Sequence, residues 1–544
     1  MLRSNRDDKR WEIVAAILAS VFMAGISWAD APWKEQAKLT AADGSAYDCF
    51  GESVSNSGDY VIVGTPYDDD TGSDAGSAYI FKFDGSEWRQ QAKIRASEGT
   101  ADDRFGYSVC ISGDYAIVGA PYDDVRGDDS GSAYIFKRRG TSWIQQAKLT
   151  ASDGSAYDEF GYSVSISGDW AIVGVHYADG RGDASGSAYI FRRSGTNWVQ
   201  QTKLTASDGL AYDEFGYSVA INGDWAIVGA IRGDSDTNDC GCAYIFKLNG
   251  TAWMQQAKLV ASDAAAEDNF GSSVAIDKDI AIVGAIFDDP NGTSSGSAYI
   301  FRRNDTSWVE ETKLVASDSD AFDEFGKSVS ISGDYAVVGA HYENAKGGLA
   351  GAVYVFEYDG MGWPEEAKLL ASDGSSRDRF GGSVSISGDF ITVGASYNSD
   401  MGTNSGSAYV FRKACPSADL SADCAVDFVD FALISPHWLE TGCNLANWCS
   451  GADIDHSSNV NWVDFVTFGR QWKRIGCVGP GWCNGADIDH SGKIDLVDLS
   501  VVAARWLDRN CDQRWCNGVD LNKSSDVGLE DLSIFAEQWL QGGQ

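Results

Sequence analysis

The 544 residues carry 79 acidic against 42 basic side chains, a formal net charge of −37. So acidic a surface argues against nucleic acid and anionic membranes as partners and favours divalent cations. Aromatic residues make up 12 % of the chain, enough for a large core, and the main consequence of the charge is to keep that chain in solution.

Residues 1–12 carry Arg3, Arg6, Lys9 and Arg10, an apolar run Ile13–Ile26 follows, and Ser27-Trp28-Ala29 closes the segment. A charged start, a short apolar stretch and a small-x-small end read as a signal peptide over 1–29, cleaved after Ala29. The run is too short to span a bilayer, so no membrane span is expected in the mature chain. The expected location is therefore secreted, extracellular or cell surface.

From Trp33 a fixed period takes over. Copies open at Trp33, Trp88, Trp143, Trp198, Trp253, Trp308 and Trp363, 55 residues apart. Val164 and Ile166 alternate with Ser163, Ser165 and Ser167, which is strand periodicity. Gly168-Asp169 is a two-residue hairpin loop leading into the doubly apolar Trp170–Val175, and Gly186–Arg193 and Trp143–Ala151 supply two more strands. Four antiparallel strands per copy without a helical pattern predict a mainly β fold, a seven-bladed propeller over 30–413. The first Trp…Lys-Leu strand precedes the first Phe-Gly, and no eighth follows Arg412. Circular closure follows, with Trp33–Leu39 completing the seventh blade.

Two Asp sets repeat with the blades. Asp48, Asp103, Asp158, Asp213, Asp268, Asp323 and Asp378 stand two residues before each Phe-Gly, and Asp59, Asp114, Asp169, Asp224, Asp279, Asp334 and Asp389 close the hairpins. Features identical in every blade serve the blade: Asp is expected to satisfy turn amides, and Trp to cover the interface between sheets. Binding is expected where the copies differ, in the loops after each second strand, which present Tyr67, Tyr122, Tyr177, Tyr342 and Tyr397 as candidate ligand-binding residues. Three of these loops hold Arg-Gly-Asp, at 126–128, 181–183 and 232–234, which Gly- and Asp-rich turns generate readily. Asp68, Asp69, Asp70 and Asp74 read as a solvated turn in preference to a metal site. No nucleophile elbow, zinc motif or phosphate loop is present, and no catalytic residue is assigned.

Phe-Gly followed by Val-Gly-Ala-Pro, as in Phe105-Gly106 and Val118–Pro121, resembles the FG-GAP repeat of bacterial surface proteins and the integrin α-chain head. That resemblance covers about 33–412 and implies an extracellular binding propeller. The integrin-type calcium loop would lie between the two motifs, where only the tight turn Ser112-Gly113-Asp114 stands.

At 414 the period changes to about 34 residues. Four acidic loops follow, the third of which reads D-x-D-x-S-G-x-I-D-x-x-D, with calcium ligands expected at positions 1, 3, 5, 9 and 12. They are Asp419, Ser421, Asp423, Asp427 and Asp430; Asp453, Asp455, Ser457, Asn461 and Asp464; Asp487, Asp489, Ser491, Asp495 and Asp498; and Asp520, Asn522, Ser524 and Asp531. A helix is expected after the third loop, with Leu499, Val502, Ala503 and Trp506 on one apolar face. Cys443 with Cys449, Cys477 with Cys483, and Cys511 with Cys516 flank the joints and read as disulfide staples of an exported chain, with Cys415 left near Cys424. The four propeller cysteines, Cys49, Cys110, Cys240 and Cys242, show no evident partners.

One twelve-residue loop plus one helix per copy resembles the dockerin repeat of bacterial polysaccharide-degrading complexes. It implies a small α, calcium-loop-plus-helix module over 414–544 that docks onto a cohesin-like protein. Together the two resemblances imply a secreted, non-catalytic protein whose propeller binds a carbohydrate or protein. The alternatives are a polysaccharide lyase or glycosidase on a propeller, and a cell-surface adhesin.

Overall fold

The computed structural model describes residues 32–234 and 239–414, and the backbone of Ile475–Gly476 and Lys493–Ile494. The chain divides into compact units at 1–413 and 414–544. The signal peptide and the calcium loops with their helices lie outside the described residues, apart from Lys493–Ile494, which pairs antiparallel with Ile475–Gly476. So do all six cysteines expected to staple the joints, Cys443, Cys449, Cys477, Cys483, Cys511 and Cys516, and with them the three expected disulfides. Of the described cysteines, Cys49, Cys110 and Cys242 are free thiols.

Within the first unit, seven four-stranded sheets form the blades. Blade 3 shows the pattern. Ser163–Ser167, Trp170–Val175, Ser187–Ser194 and Asn197–Leu204 lie side by side in chain order, each antiparallel to the next. Ser167 pairs with Trp170, so Gly168-Asp169 is indeed a two-residue loop, with Gly168 at φ 58°. Blade 7 takes Ser383–Ser387, Phe390–Ala395 and Ser407–Lys413 from the end of the repeat region and its outermost strand, Trp33–Leu39, from the beginning. Trp33 faces Lys413 and Leu39 faces Ala408 in that ladder, so the ring closes by pairing its two ends.

Apolar side chains on adjacent sheets interlock. Ile62, Ala78 and Ile80 of blade 1 form one cluster with Phe105, Val118 and Trp143 of blade 2. The opening tryptophans lie in these seams, as expected: the Trp143 ring meets Tyr60 of the preceding blade edge-on at 6.1 Å, and Trp33 meets Tyr335 at 5.7 Å. Each Phe of Phe-Gly is buried against the tyrosine of its own third strand, as with Phe50 and Tyr79 at 5.4 Å. The glycine beside it is obligatory: Gly216 holds φ 99°, and a Cβ there would overlap the Ser187 carbonyl.

The innermost strands line the axis, where a free strand edge would leave backbone N–H groups without acceptors. Serine hydroxyls close that gap. Val109, Ile111 and Gly113 donate their N–H groups to Ser53, Ser55 and Ser57 of the preceding blade, at 3.0, 3.1 and 3.2 Å. The alternating serines of the inner strand therefore join blade to blade.

Candidate binding face

The segment before each Phe-Gly crosses to the loop of the preceding blade. Its residue immediately before Phe holds φ between 51° and 57° in all seven copies, and the residue two earlier holds φ between 68° and 76°. Inter-blade backbone hydrogen bonds impose this shape. Tyr157 and Glu159 donate to the carbonyls of Asp128 and Asp129 at 2.7 and 3.1 Å, and Tyr212 and Glu214 to those of Asp183 and Ala184 at 2.8 and 3.2 Å.

The aspartate between these two positions accepts the N–H three residues back, as Asp158 does from Ser155 at 2.7 Å. This matches the expected turn-amide role. Burial pushes these carboxyls above the ordinary range, Asp48, Asp268 and Asp323 to about 6. Three of the hairpin aspartates have a further partner that the sequence did not indicate. Asp114, Asp169 and Asp279 pair their carboxylates with Arg138, Arg193 and Arg303, a partner only the third strand can bring.

The turn at Asp68 also needs correction. Asp69 and Asp70 are exposed, but Asp68 is buried. It accepts from the hydroxyls of Ser77 at 2.9 Å and Tyr79 at 3.1 Å, and its carboxylate lies 2.6 Å from Lys93 Nζ. That ammonium also reaches Asp43 and Asp70, at 2.9 and 2.6 Å. Burial raises the Asp68 carboxyl, and the hydrogen bonds from Lys93, Asp70 N–H and Ser77 outweigh it, so it lies below the usual range. A lysine thus sits among the carboxylates, and Lys148, Lys313 and Lys368 repeat it in other blades. Among the described residues no three His, Cys, Asp or Glu side chains are arranged to hold a metal ion.

The five tyrosines singled out in the sequence stand on the second-strand loops and interleave with the residues just before Phe. The Arg104 guanidinium lies between Tyr67 and Tyr122, 5.1 and 4.4 Å from their ring centres. Arg379 lies in the same way between Tyr342 and Tyr397, at 5.3 and 3.9 Å. Tyr177 stacks on His176 at 3.9 Å, and His176 Nε2 is 3.8 Å from Glu159. Arg232, which replaces tyrosine in blade 4, lies 3.4 Å from Glu214. The result is a collar of aromatic rings and alternating charges.

Within the collar lies a second tier that sequence reasoning did not single out. The residue after Phe-Gly is tyrosine in three consecutive blades, and Tyr107, Tyr162 and Tyr217 form an arc with ring centres 5.1 and 5.2 Å apart. Glu52, Ser272, Lys327 and Gly382 take that place in the other four. Burial pushes the Tyr107 and Tyr162 hydroxyls up. It pushes His176 down to about 3, leaving a neutral imidazole against Tyr162 at 4.0 Å. Burial, with Asp129 nearby, lifts Glu159 to about 7. Divergence at a fixed offset in an otherwise uniform repeat was the available signal for these residues. His341 in blade 6 repeats the geometry, 3.6 Å from Glu324 and 3.8 Å from Tyr342, far around the ring from His176.

Seven four-stranded antiparallel sheets closed by their first strand, with an uneven aromatic collar on one face, define a seven-bladed β-propeller with a differentiated loop face. The chain belongs to the FG-GAP repeat family, whose profile matches at 33–81, 88–136, 143–191, 198–246, 253–301, 308–356 and 363–411. Mouse integrin alpha-7 is 28 % identical over 137 residues, 24 % of this chain and 11 % of its own length. Chicken integrin alpha-6 is 32 % identical over 143 residues, 24 % of this chain and 12 % of its own length. The chain thus matches only about a tenth of these relatives' length. A solved chain of the mitotic checkpoint complex aligns with 72 % of this chain and 97 % of its own, at 13 % identity and a TM-score of 0.44. Among the described residues no helix is long and apolar enough to cross a membrane.

Proposed function

We propose that this is an exported, non-catalytic binding protein. Its propeller takes a carbohydrate or protein ligand on the loop face. Its four C-terminal repeats, loaded with calcium and stapled at their joints by disulfides, dock it onto a cohesin-like partner in extracellular polysaccharide degradation. One observation carries the propeller half: residues that build the blade repeat around the ring, whereas the collar and arc do not. Tyr107, Tyr162 and Tyr217 occupy three blades and Glu52, Ser272, Lys327 and Gly382 the rest. A position free to vary between blades is free to specialise.

Two other readings have an observation each. Glu159, lifted to about 7 beside Glu214, is the kind of carboxyl a glycosidase or lyase uses as an acid. The similarity to integrin α-chains favours a cell-surface adhesin with a calcium-stiffened stalk. The full chain on immobilised polysaccharides, followed by a reducing-end assay, separates the first from ours: retention without new reducing ends supports a binding protein, and their release refutes it. Capture of a cohesin domain in calcium and its loss in EGTA supports docking; no capture, or capture indifferent to EGTA, leaves the stalk reading.

A further inference from the structure

Four of the seven residues at φ 68–76° are aromatic: Tyr47, Tyr157, Tyr212 and Phe322. The other three are Asp102, Glu267 and Arg377. A left-handed backbone favours glycine, asparagine or aspartate and penalises a bulky side chain. The inter-blade hydrogen bonds explain the backbone: Tyr47, Tyr157, Tyr212 and Phe322 donate to the carbonyls of Thr403, Asp128, Asp183 and Thr293. They do not explain the rings, which are 63, 60, 57 and 61 % exposed and so contribute little to packing. Asp102 shows that the site folds without one.

A costly conformation kept at four positions for an exposed ring points to a role outside the fold. The rings recur at the same place in different blades, each set against polar loops. The Tyr157 hydroxyl donates to Asp128 Oδ2 at 3.2 Å, and Asp183 is exposed beside Tyr212. Isolated rings beside hydrogen-bonding groups suit the apolar face and hydroxyl rim of a sugar, whereas a protein interface core needs contiguous apolar area. Acidic loops and a net charge of −37 disfavour a polyanionic glycan. Equivalent weak sites on one ring suit a long chain of repeated units, bound by avidity.

We infer that Tyr47, Tyr157, Tyr212 and Phe322 are stacking platforms through which the propeller engages a neutral polysaccharide at several blades at once. This rests on the carbohydrate form of the function proposed above. The test is affinity electrophoresis of the full chain through gels containing mixed-linkage β-glucan, xylan or galactomannan, with polygalacturonate as the polyanion. At least one neutral polymer retards the chain and polygalacturonate does not. Replacing all four platforms by glycine weakens that retardation by about tenfold or more, while the melting temperature holds or rises because glycine relieves the backbone. Tyr→Phe at 47, 157 and 212 keeps most of it.

Retardation undiminished in the glycine variant overturns this assignment and leaves the proposed function standing. So does a lowered melting temperature that accompanies the loss. Failure of every neutral polymer to retard the wild-type chain, or retardation by polygalacturonate alone, overturns the inference; in the first case the carbohydrate form of the proposal goes with it.

Discussion

Deleting residues 30–42 removes the strand that closes the ring, and the cost can be worked from what that strand buries. Trp33 and Leu39 are both 3 % exposed, at the two ends of a ladder running from Trp33↔Lys413 to Leu39↔Ala408. Truncating a buried Trp costs about 3–5 kcal/mol and a buried Leu about 2–5 kcal/mol, so apolar burial alone contributes roughly 5–10 kcal/mol. Polar ties are lost as well. Trp33 Nε1 donates to Glu366 at 2.9 Å, the Ser372 N–H and hydroxyl donate to Glu35 at 2.8 Å each, and Lys38 joins Asp373 at 2.6 Å. A typical domain has only about 5–15 kcal/mol in hand. The deleted chain should melt about 6–12 °C lower and expose the Ser407–Lys413 edge to proteolysis and self-association. Calorimetry with limited proteolysis measures both, and a synthetic 30–42 peptide should restore part of the loss. Melting unchanged within about 1 °C, an effect below roughly 1 kcal/mol, would refute circular closure as a source of stability.

Three further outcomes follow from particular residues. Asp268 is buried with its carboxyl raised from 3.8 to about 6, so its contribution is full below pH 4 and lost as pH rises through 6; Asp268→Asn, which keeps an acceptor for the Ala265 N–H, should stabilise the chain at pH 8 by up to about 3 kcal/mol and change little at pH 4, and an equal loss at both would contradict this. Gly216→Ala should cost about 3 kcal/mol or more because a Cβ meets the Ser187 carbonyl, whereas Gly168→Ala, with open space around it, should cost only about 1–2 kcal/mol in denaturant melts. In calorimetric calcium titration of the full chain, Asp487→Ala with Asp498→Ala should remove the tightest site, and Asp520→Ala with Asp531→Ala the weakest, because the fourth loop has fewest carboxylates.

The blade architecture was legible because it repeats. Seven copies of one period, a hairpin closed by Asp in each copy, and an unmatched strand at each end lead directly to the ring and its closure. What the sequence hid depends on neighbours on other strands, from 11 residues to a full period away. Ser53 reads as an ordinary polar strand residue until the next blade's Val109 N–H is placed against it. Asp68 reads as a solvated turn until Tyr79 and Lys93 fold over it. The collar tyrosines were found through loop variability, but Arg104 between Tyr67 and Tyr122 was not, because it lies on a different segment from either ring. Tyr157 and Tyr212 were missed for another reason: nothing in a Tyr-Asp-Glu-Phe-Gly run announces that the backbone at tyrosine is left-handed and its ring exposed.

The central claim is that ligand is held on the loop face. Hydrogen–deuterium exchange on the full chain, with and without a saturating retained polysaccharide, tests it directly. Slowed exchange is expected in 43–52, 153–162 and 208–217 and in the loops they clasp, with the outermost strands Ser142–Leu149 and Asn197–Leu204 unchanged. Protection along those outer strands, with none on the loop face, would contradict it.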